Sequence, residues 1–419
     1  MIVMNRDKKS YLKSLFEVAV KQALPETCLP QHLDRLNLKG EVCVIGVGKA
    51  ALQMAQVVER HFGDKCYGAI VTRYGYSNCN DIGRIKVHQA SHPIPDLASV
   101  EAGHSLLNIA QQAPENVTVL FLISGGGSAL MSLPINGLKI EDKIRVNKIL
   151  LESGADIHEI NTVRKHLSQV KGGGLARAVK GNHHTFVISD VVGDDLDIIA
   201  SGPTVNDQST SAQAIEILRR YEFPENDMIL SVLQRQTEEK TRLCSGGISL
   251  VANSNQSIDK AIELAMKDGW QTQVLNYGQQ GEAKDVALEH AKLALDAQKT
   301  GKRMLLFSGG ELTVTINNKK GRGGPNQEYL LALAIALKAQ PGICALACDT
   351  DGVDGSEDVA GAFIDNTTLN RAQSLDMTAD EYLSQNLSYD FFHGLDDLII
   401  TGPTHTNVND FRVIMVEPD

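Results

Sequence analysis

The sequence predicts an α/β protein of two domains, each a mostly parallel sheet flanked by helices. Three observations carry the prediction. Apolar runs of strand length end in glycine turns that open helices, as where the run at 117–123 meets Ser124-Gly125-Gly126-Gly127-Ser128. The alternation of strands and helices stops over 205–240, where two charge-rich amphipathic helices are expected, and then restarts. The length of 419 residues also exceeds the usual size of one domain. The division is therefore placed at 1–240, a Rossmann-like domain, and 241–419, a domain with a leucine-rich helix.

Taken in order, residues 7–24 carry Leu12, Leu15, Phe16 and Ala19 at helical spacing. Strand 41–46 runs into a turn at Gly46 and Gly48 and then a helix. Strands at 67–72, 85–88 and 117–123, with a helix over 97–112, continue a parallel sheet. Helices dominate 140–178, and strand 184–189 ends at Asp190. In the second half, strands are expected at GISLVANS, TQVLNY, MLLFSGG, TVTI, 343–348, LIITGPT and FRVIMVE, with helices over 255–268, 282–298 and 325–339. The one internal echo is IASGPT at 199–204 against IITGPT at 399–404, which suggests one turn type used twice.

Composition narrows the function. A formal charge of −11 without long like-charge runs argues against a nucleic-acid groove or an anionic membrane surface. No apolar stretch reaches membrane-spanning length and the first residues lack the order of a signal peptide, so a cytoplasmic protein is expected. Seven irregularly spaced cysteines give neither a disulfide framework nor a zinc motif.

The chemical motifs point to anions. Gly46-Val47-Gly48-Lys49-Ala50-Ala51 fits the first half of a dinucleotide fingerprint, but the next strand ends at Thr72-Arg73 and offers no carboxylate to a ribose. Ala50 after Gly48-Lys49 removes the hydroxyl of a P-loop. What remains is Lys49 at a strand's carboxyl end, against the competing reading of a solvated surface lysine. Ser128 lacks the second glycine of a nucleophile elbow, and DTDGVDG places Val353 where a calcium loop needs oxygen. Asp190, just past a buried strand, could serve as a base or a metal ligand, or merely cap a turn. Glycine turns, a lysine, an arginine and strand-end carboxylates are together what phosphoryl transfer requires. The residues alone stop at a phosphate-handling α/β enzyme.

The motifs GVGKAA, ISGGGSAL, HEINTVRKHLSQVKGGGLA, ISDVVGDDLDIIASGPT, GRGGPNQEYLLALA, DTDGVDG and LIITGPTHTNVNDF resemble, in order, the signatures of the class II glycerate 2-kinases. That family carries a leucine-rich C-terminal domain and is often labelled hydroxypyruvate reductase. The resemblance covers about residues 10–416. It implies phosphorylation of D-glycerate by ATP with Mg²⁺, giving 2-phosphoglycerate and ADP, at a site in an interdomain cleft. By position, Lys49 falls on the family's essential-looking lysine, Arg322 on the arginine of its GRGG motif and Asp190 on the aspartate of its D-x-x-G-D-D stretch, and these three are the catalytic candidates. Lys49 and Arg322 would stabilise charge on the phosphoryl group, and Asp190 would accept the 2-hydroxyl proton or hold Mg²⁺, with Asp351 a second metal candidate.

Gly46, Gly48, the turn Ser124, Gly125, Gly126, Gly127 and Ser128, and Lys171 are expected to contact nucleotide or substrate. So are Gly309, Glu311, Asn326, Thr404 and Asn407 in the second half. Three positions depart from the family pattern: Gly174, Pro325 and His405, the last in place of a usual glycine. An NAD(P)H-dependent hydroxypyruvate reductase and a non-catalytic sensor of a phosphorylated metabolite are the alternatives. Small-molecule partners alone are expected, with a homodimer as the candidate assembly.

Overall fold

The computed structural model describes residues 7–235 and 246–418, so the expected boundary between 240 and 241 lies outside the described residues. The chain divides into two compact units, Pro25–Val251 and Met1–Leu24 with Ala252–Asp419. The first helix thus belongs with the C-terminal part. Helix Lys8–Ala23 lays the buried stripe Leu12, Leu15, Phe16 and Ala19 on helix Ser254–Lys267, and Tyr11 stacks on Trp270 with centroids 6.0 Å apart. No helix among the described residues is long and apolar enough to cross a membrane.

Pro25–Val251 is built on seven strands: β1 (Val42–Val47), β2 (Cys66–Arg73), β3 (Asp81–Ile82), β4 (Arg84–Ala90), β5 (Thr118–Ile123), β6 (His183–Ile188) and β7 (Gly246–Ala252). Their order is β3-β4-β2-β1-β5-β6-β7. β1 pairs in parallel with β2 and β5, β2 with β4 and β5 with β6, while the short β3 is antiparallel to β4. Because these strands are covered on both faces, β1 and β5 read as unbroken apolar runs, and Val44, Ile45, Leu120 and Phe121 are all fully buried. After β1 the chain adds β2 and β4 on one side, and β5 returns to the other. The carboxyl ends of β1 and β5 therefore flank the point where strand order reverses, which is where open α/β sheets take ligands. One expectation needs correcting: Gly46 is not in the turn. It lies inside β1 opposite Ile70 and Leu122, and the strand runs on to Val47.

The helices Ile140–Glu152, Ile157–His166, Ser211–Arg220 and Met228–Gln234 form a separate apolar cluster around Leu150, Val163, Leu218 and Leu230.

The other unit carries β8 (Gln271–Gln279), β9 (Met304–Gly310), β10 (Ile343–Asp349), β11 (Gly361–Ile364), β12 (Leu398–Ile399) and β13 (Asp410–Val416), ordered β12-β11-β10-β13-β9-β8. Here the expected mostly parallel sheet is overturned. β8 and β9 are parallel, but β9/β13, β13/β10, β10/β11 and β11/β12 are all antiparallel. β10 reaches β11 through the helix-free segment 350–360, a connection that suits antiparallel neighbours, and the last strand inserts between β9 and β10. TVTI is not a strand either. It contributes an isolated bridge from Thr313 to Glu282.

The leucine-rich helix Pro325–Leu337 starts at a proline, whose fixed φ suits the first turn. It is apolar around most of its circumference and correspondingly buried, against helix Ala283–Lys299, β10 and β11.

Candidate functional site

The expected site residues fall into two groups, one in each unit. In Pro25–Val251 the turns after β1 and β5 are bonded to each other. The Ser124 N–H donates to the Val47 carbonyl at 3.0 Å, and the Lys49 N–H to the Gly125 carbonyl at 2.9 Å. The Ala50 N–H donates to Ser124 Oγ at 3.0 Å. Gly48 sits at φ 130°, and a side chain there would strike Ser124, so the close approach of the turns requires glycine. Ser124 is 2% exposed, and its hydroxyl is engaged inside this junction rather than offered to a ligand.

At Gly125 any Cβ would collide with the carboxylate of Asp190, which follows β6 on the next strand over. The His92 ring and the Lys49 side chain flank the neighbouring Gly126. Lys49, Asp190 and the turn 125–127 are thereby brought together at the carboxyl edge of the sheet. Both side chains are partly exposed.

Beneath this turn, Ser201 donates its single proton to Asn161 Oδ1 at 2.9 Å. The 2.7 Å contact between Ser128 and Ser201 hydroxyls must therefore have Ser128 as donor. Ala200, Ser201 and Gly202 all adopt the left-handed region, at φ 52°, 59° and 58°. For the two non-glycine residues this costs roughly 1–2 kcal/mol each. The run is held because the Gly172 and Gly173 N–H groups donate to the Ser201 and Gly202 carbonyls at 3.0 and 2.7 Å. The KGGG and IASGPT motifs are thus two halves of one structure. The second GPT turn repeats only its glycine, Gly402 at φ 68°.

Beside Gly126 and Ser128 opens a cavity of about 500 Å³, lined also by His92, Lys143, Arg164 and Lys171. Lys171 is 2% exposed and donates to the Ser128 carbonyl at 2.8 Å. Lys143 is 7% exposed, and its Nζ has no hydrogen-bond partner among the described residues. Burial, with the Arg164 charge adding to it, pushes Lys143 down to about 7. Burial and the charges of Lys143 and Arg164 hold Lys171 well below the ordinary lysine range. Arg164 donates through Nε to Asn147 Oδ1 at 2.7 Å. Sequence reasoning named Lys171 but missed Lys143 and Arg164. One signal was available, since Lys143 falls on the apolar stripe Ile140, Val146 and Leu150.

In the other unit, segment 350–360 organises the expected residues. Asp354 accepts from the Asn326 and Gln327 N–H groups at 3.0 and 2.9 Å and so caps the leucine-rich helix from a distance in sequence. Glu357 pairs with Arg322 at 2.8 Å, and the Asp351 carbonyl accepts from the Thr404 N–H at 3.1 Å. The aspartates of DTDGVDG serve backbone turns: Asp349 Oδ1 accepts from the Asp351 N–H at 2.8 Å and Asp351 Oδ1 from the Val353 N–H at 2.9 Å. No group of three or more His, Cys, Asp or Glu that could hold a metal occurs among the described residues.

Arg322 is exposed, lies over the Tyr389 ring at 4.3 Å and also pairs with Asp390 at 3.1 Å. Its hydrogen bond to Glu357 raises its pKa further above the ordinary range. Asn326, at 0% exposure, is not presented to a ligand: its amide donates to Asp354 at 3.2 Å and to Asp410 at 2.6 Å. Gly309 is likewise buried in β9, its carbonyl bonded by Arg412. Glu311 is exposed beyond β9, Thr404 Oγ1 donates to the Thr350 carbonyl at 2.5 Å, and Asn407 Oδ1 accepts from the Asn409 N–H at 3.0 Å.

His405 sits at φ 64°, the conformation that a glycine adopts without strain. His405→Gly is therefore expected to raise stability by about 0.5–1 kcal/mol, the left-handed penalty less the extra entropy glycine loses. A melting temperature at or below that of the wild type would show that the imidazole's contacts outweigh the strain.

Known proteins bear out the family. Residues 11–234 match the family described as "Domain of unknown function (DUF4147)", and residues 304–410 match the MOFRL family. A protein of Agrobacterium vitis named putative hydroxypyruvate reductase is 40% identical, over 97% of this chain and 94% of the relative. A protein of Pyrococcus horikoshii named glycerate 2-kinase is 40% identical over 91% of this chain and 88% of its own. The crystal structure of glycerate kinase from Thermotoga maritima is 36% identical and superposes with a TM-score of 0.90, over 97% of this chain and 99% of that one. With both modules in order and such relatives along nearly the whole length, the chain belongs to the glycerate kinase family whose C-terminal module is MOFRL.

Proposed function

We propose that the protein is a glycerate 2-kinase, transferring the γ-phosphoryl group of ATP to the 2-hydroxyl of D-glycerate and releasing 2-phosphoglycerate and ADP. The observation that carries this reading is the junction of the β1 and β5 turns, which gathers Lys49, Asp190 and the 125–127 backbone at the switch point of the sheet. Phosphoryl transfer needs preorganised positive charge on the moving group more than covalent chemistry. Lys49 supplies that charge. Asp190 accepts the hydroxyl proton, and Arg322 is assigned to phosphate charge only on its place in the GRGG motif.

A hard divalent ion takes oxygen ligands and usually one or two carboxylates besides phosphate oxygens. Asp190 at this turn is a carboxylate of that kind, Asp351 is a separate candidate in the other unit, and Mg²⁺ when bound would neutralise phosphate charge.

Purified protein given ATP, Mg²⁺ and D-glycerate should form ADP and 2-phosphoglycerate. Oxidation of NAD(P)H with hydroxypyruvate at a comparable rate would overturn the reading. Asp190→Asn is expected to lower turnover by about 100-fold or more, the usual worth of a positioned base. An unchanged Mg²⁺ requirement would then assign the base, and a raised one the metal ligand. Unaltered turnover with an unaltered metal response would remove Asp190 from both roles.

A further inference from the structure

We infer that the cavity lined by Lys143, Arg164 and Lys171 seats the phosphates of the nucleotide, with the nucleoside against its apolar wall. The inference deepens the kinase reading and rests on it. Charge is the first argument. Three cationic side chains converge on one cavity, and the one carboxylate on its lining, Glu152, lies at an exposed rim 3.8 Å from Lys148. Nothing anionic on the lining offsets the deeper cations. Burial makes the ammonium form of Lys143 costly, and its Nζ has no hydrogen-bond partner among the described residues. A polyanionic ligand removes the cost.

Size and lining decide between anions. A cavity of about 500 Å³ suits a ligand far larger than a three-carbon acid. Ile94, Pro95, Ala129, Ile144 and Leu151 give it an apolar wall that a hydroxy acid cannot use. A nucleotide has both the phosphates and the planar base. Position agrees, because Gly126 lines the cavity and is flanked by Lys49, so a phosphate chain held there ends beside the residue assigned to the transferring group.

Titration calorimetry of Lys143→Met and Arg164→Met with ADP and, separately, with D-glycerate tests the inference. ADP binding should weaken about tenfold or more in each, the usual effect of losing one charge-assisted phosphate contact. D-glycerate binding should stay within about twofold, and ligand-free Lys143→Met should melt higher than the wild type, because a buried polar group without a hydrogen-bond partner has gone. A residue of merely structural importance would not raise stability and lose ADP together. Unchanged ADP affinity, or a loss confined to D-glycerate, would overturn the inference.

The wild type gives a readout independent of any variant. The groups that face Lys143 in the cavity are Arg164 and Lys171, with His92, Lys148 and Glu152 further along the lining. With Lys143 near 7 and no anion, its amine is largely neutral at pH 8, so ADP should bind with net proton uptake in buffers of differing ionisation enthalpy. Absence of uptake would count against the inference. Failure to form phosphoglycerate sinks the kinase reading, whereas ADP affinity alone sinks the cavity assignment, so the two fail separately.

Discussion

Replacing Lys49 with methionine should lower turnover by about 100-fold or more, because losing one preorganised electrostatic group costs ~2.7–4 kcal/mol of barrier. The fold should survive. What the Lys49 backbone contributes to the junction, its N–H to the Gly125 carbonyl and its carbonyl to Thr72 Oγ1, does not depend on the side chain. Methionine also keeps most of the packing beside Gly126. Arg322→Met should cost a similar factor, with little loss of stability, since its ion pairs to Glu357 and Asp390 are exposed and screened by water. Steady-state kinetics beside circular dichroism decide the matter. A folded Lys49→Met protein with normal turnover would withdraw the lysine from the chemistry.

The first unit was readable because its signals are local. β1, β5 and the glycine turns after them are contiguous in sequence, and a strand covered on both faces must be apolar throughout. Lys49, Asp190 and Gly125–Gly127 could be found for the same reason, each sitting at the end of a legible strand. The second sheet was not readable in the same way. Its direction depends on β13 entering between β9 and β10 from the end of the chain, and β11 is four residues long and follows β10 with no helix between them. Polar residues on buried positions were the other blind spot. Asn326 looks like a ligand contact in GPNQE until Asp354 and Asp410 are seen to engage its amide, and Lys143 looks like one more charge on an amphipathic helix.

Arg412→Met should cost the C-terminal unit about 3–5 kcal/mol, the penalty for stranding one partner of a buried ion pair. Arg412 is 1% exposed and meets Asp410 at 2.7 Å, Ser308 Oγ at 3.3 Å and the Gly309 carbonyl, with its guanidinium 5.8 Å from the Tyr329 ring centroid. It is the cation beside a pair of buried acids. Burial raises Asp410, and burial with Asp410's charge lifts Asp354 to about 6 despite the N–H donors around it. Such acids bind more protons in the native than in the unfolded state between about pH 4 and about pH 6, so their contribution to stability falls as pH rises through that window. Without Arg412 the same term should grow. The mutant's deficit should therefore be largest near pH 7.5 and shrink towards pH 5, and adding Asp410→Asn should recover part of it. Trp270, the only tryptophan in the sequence, lies in this unit and packs beside Tyr11, so its fluorescence during urea unfolding reports the right transition. A deficit below about 1 kcal/mol at pH 7.5, the scale of an exposed ion pair, would mean that Arg412 is not what holds the two acids in place.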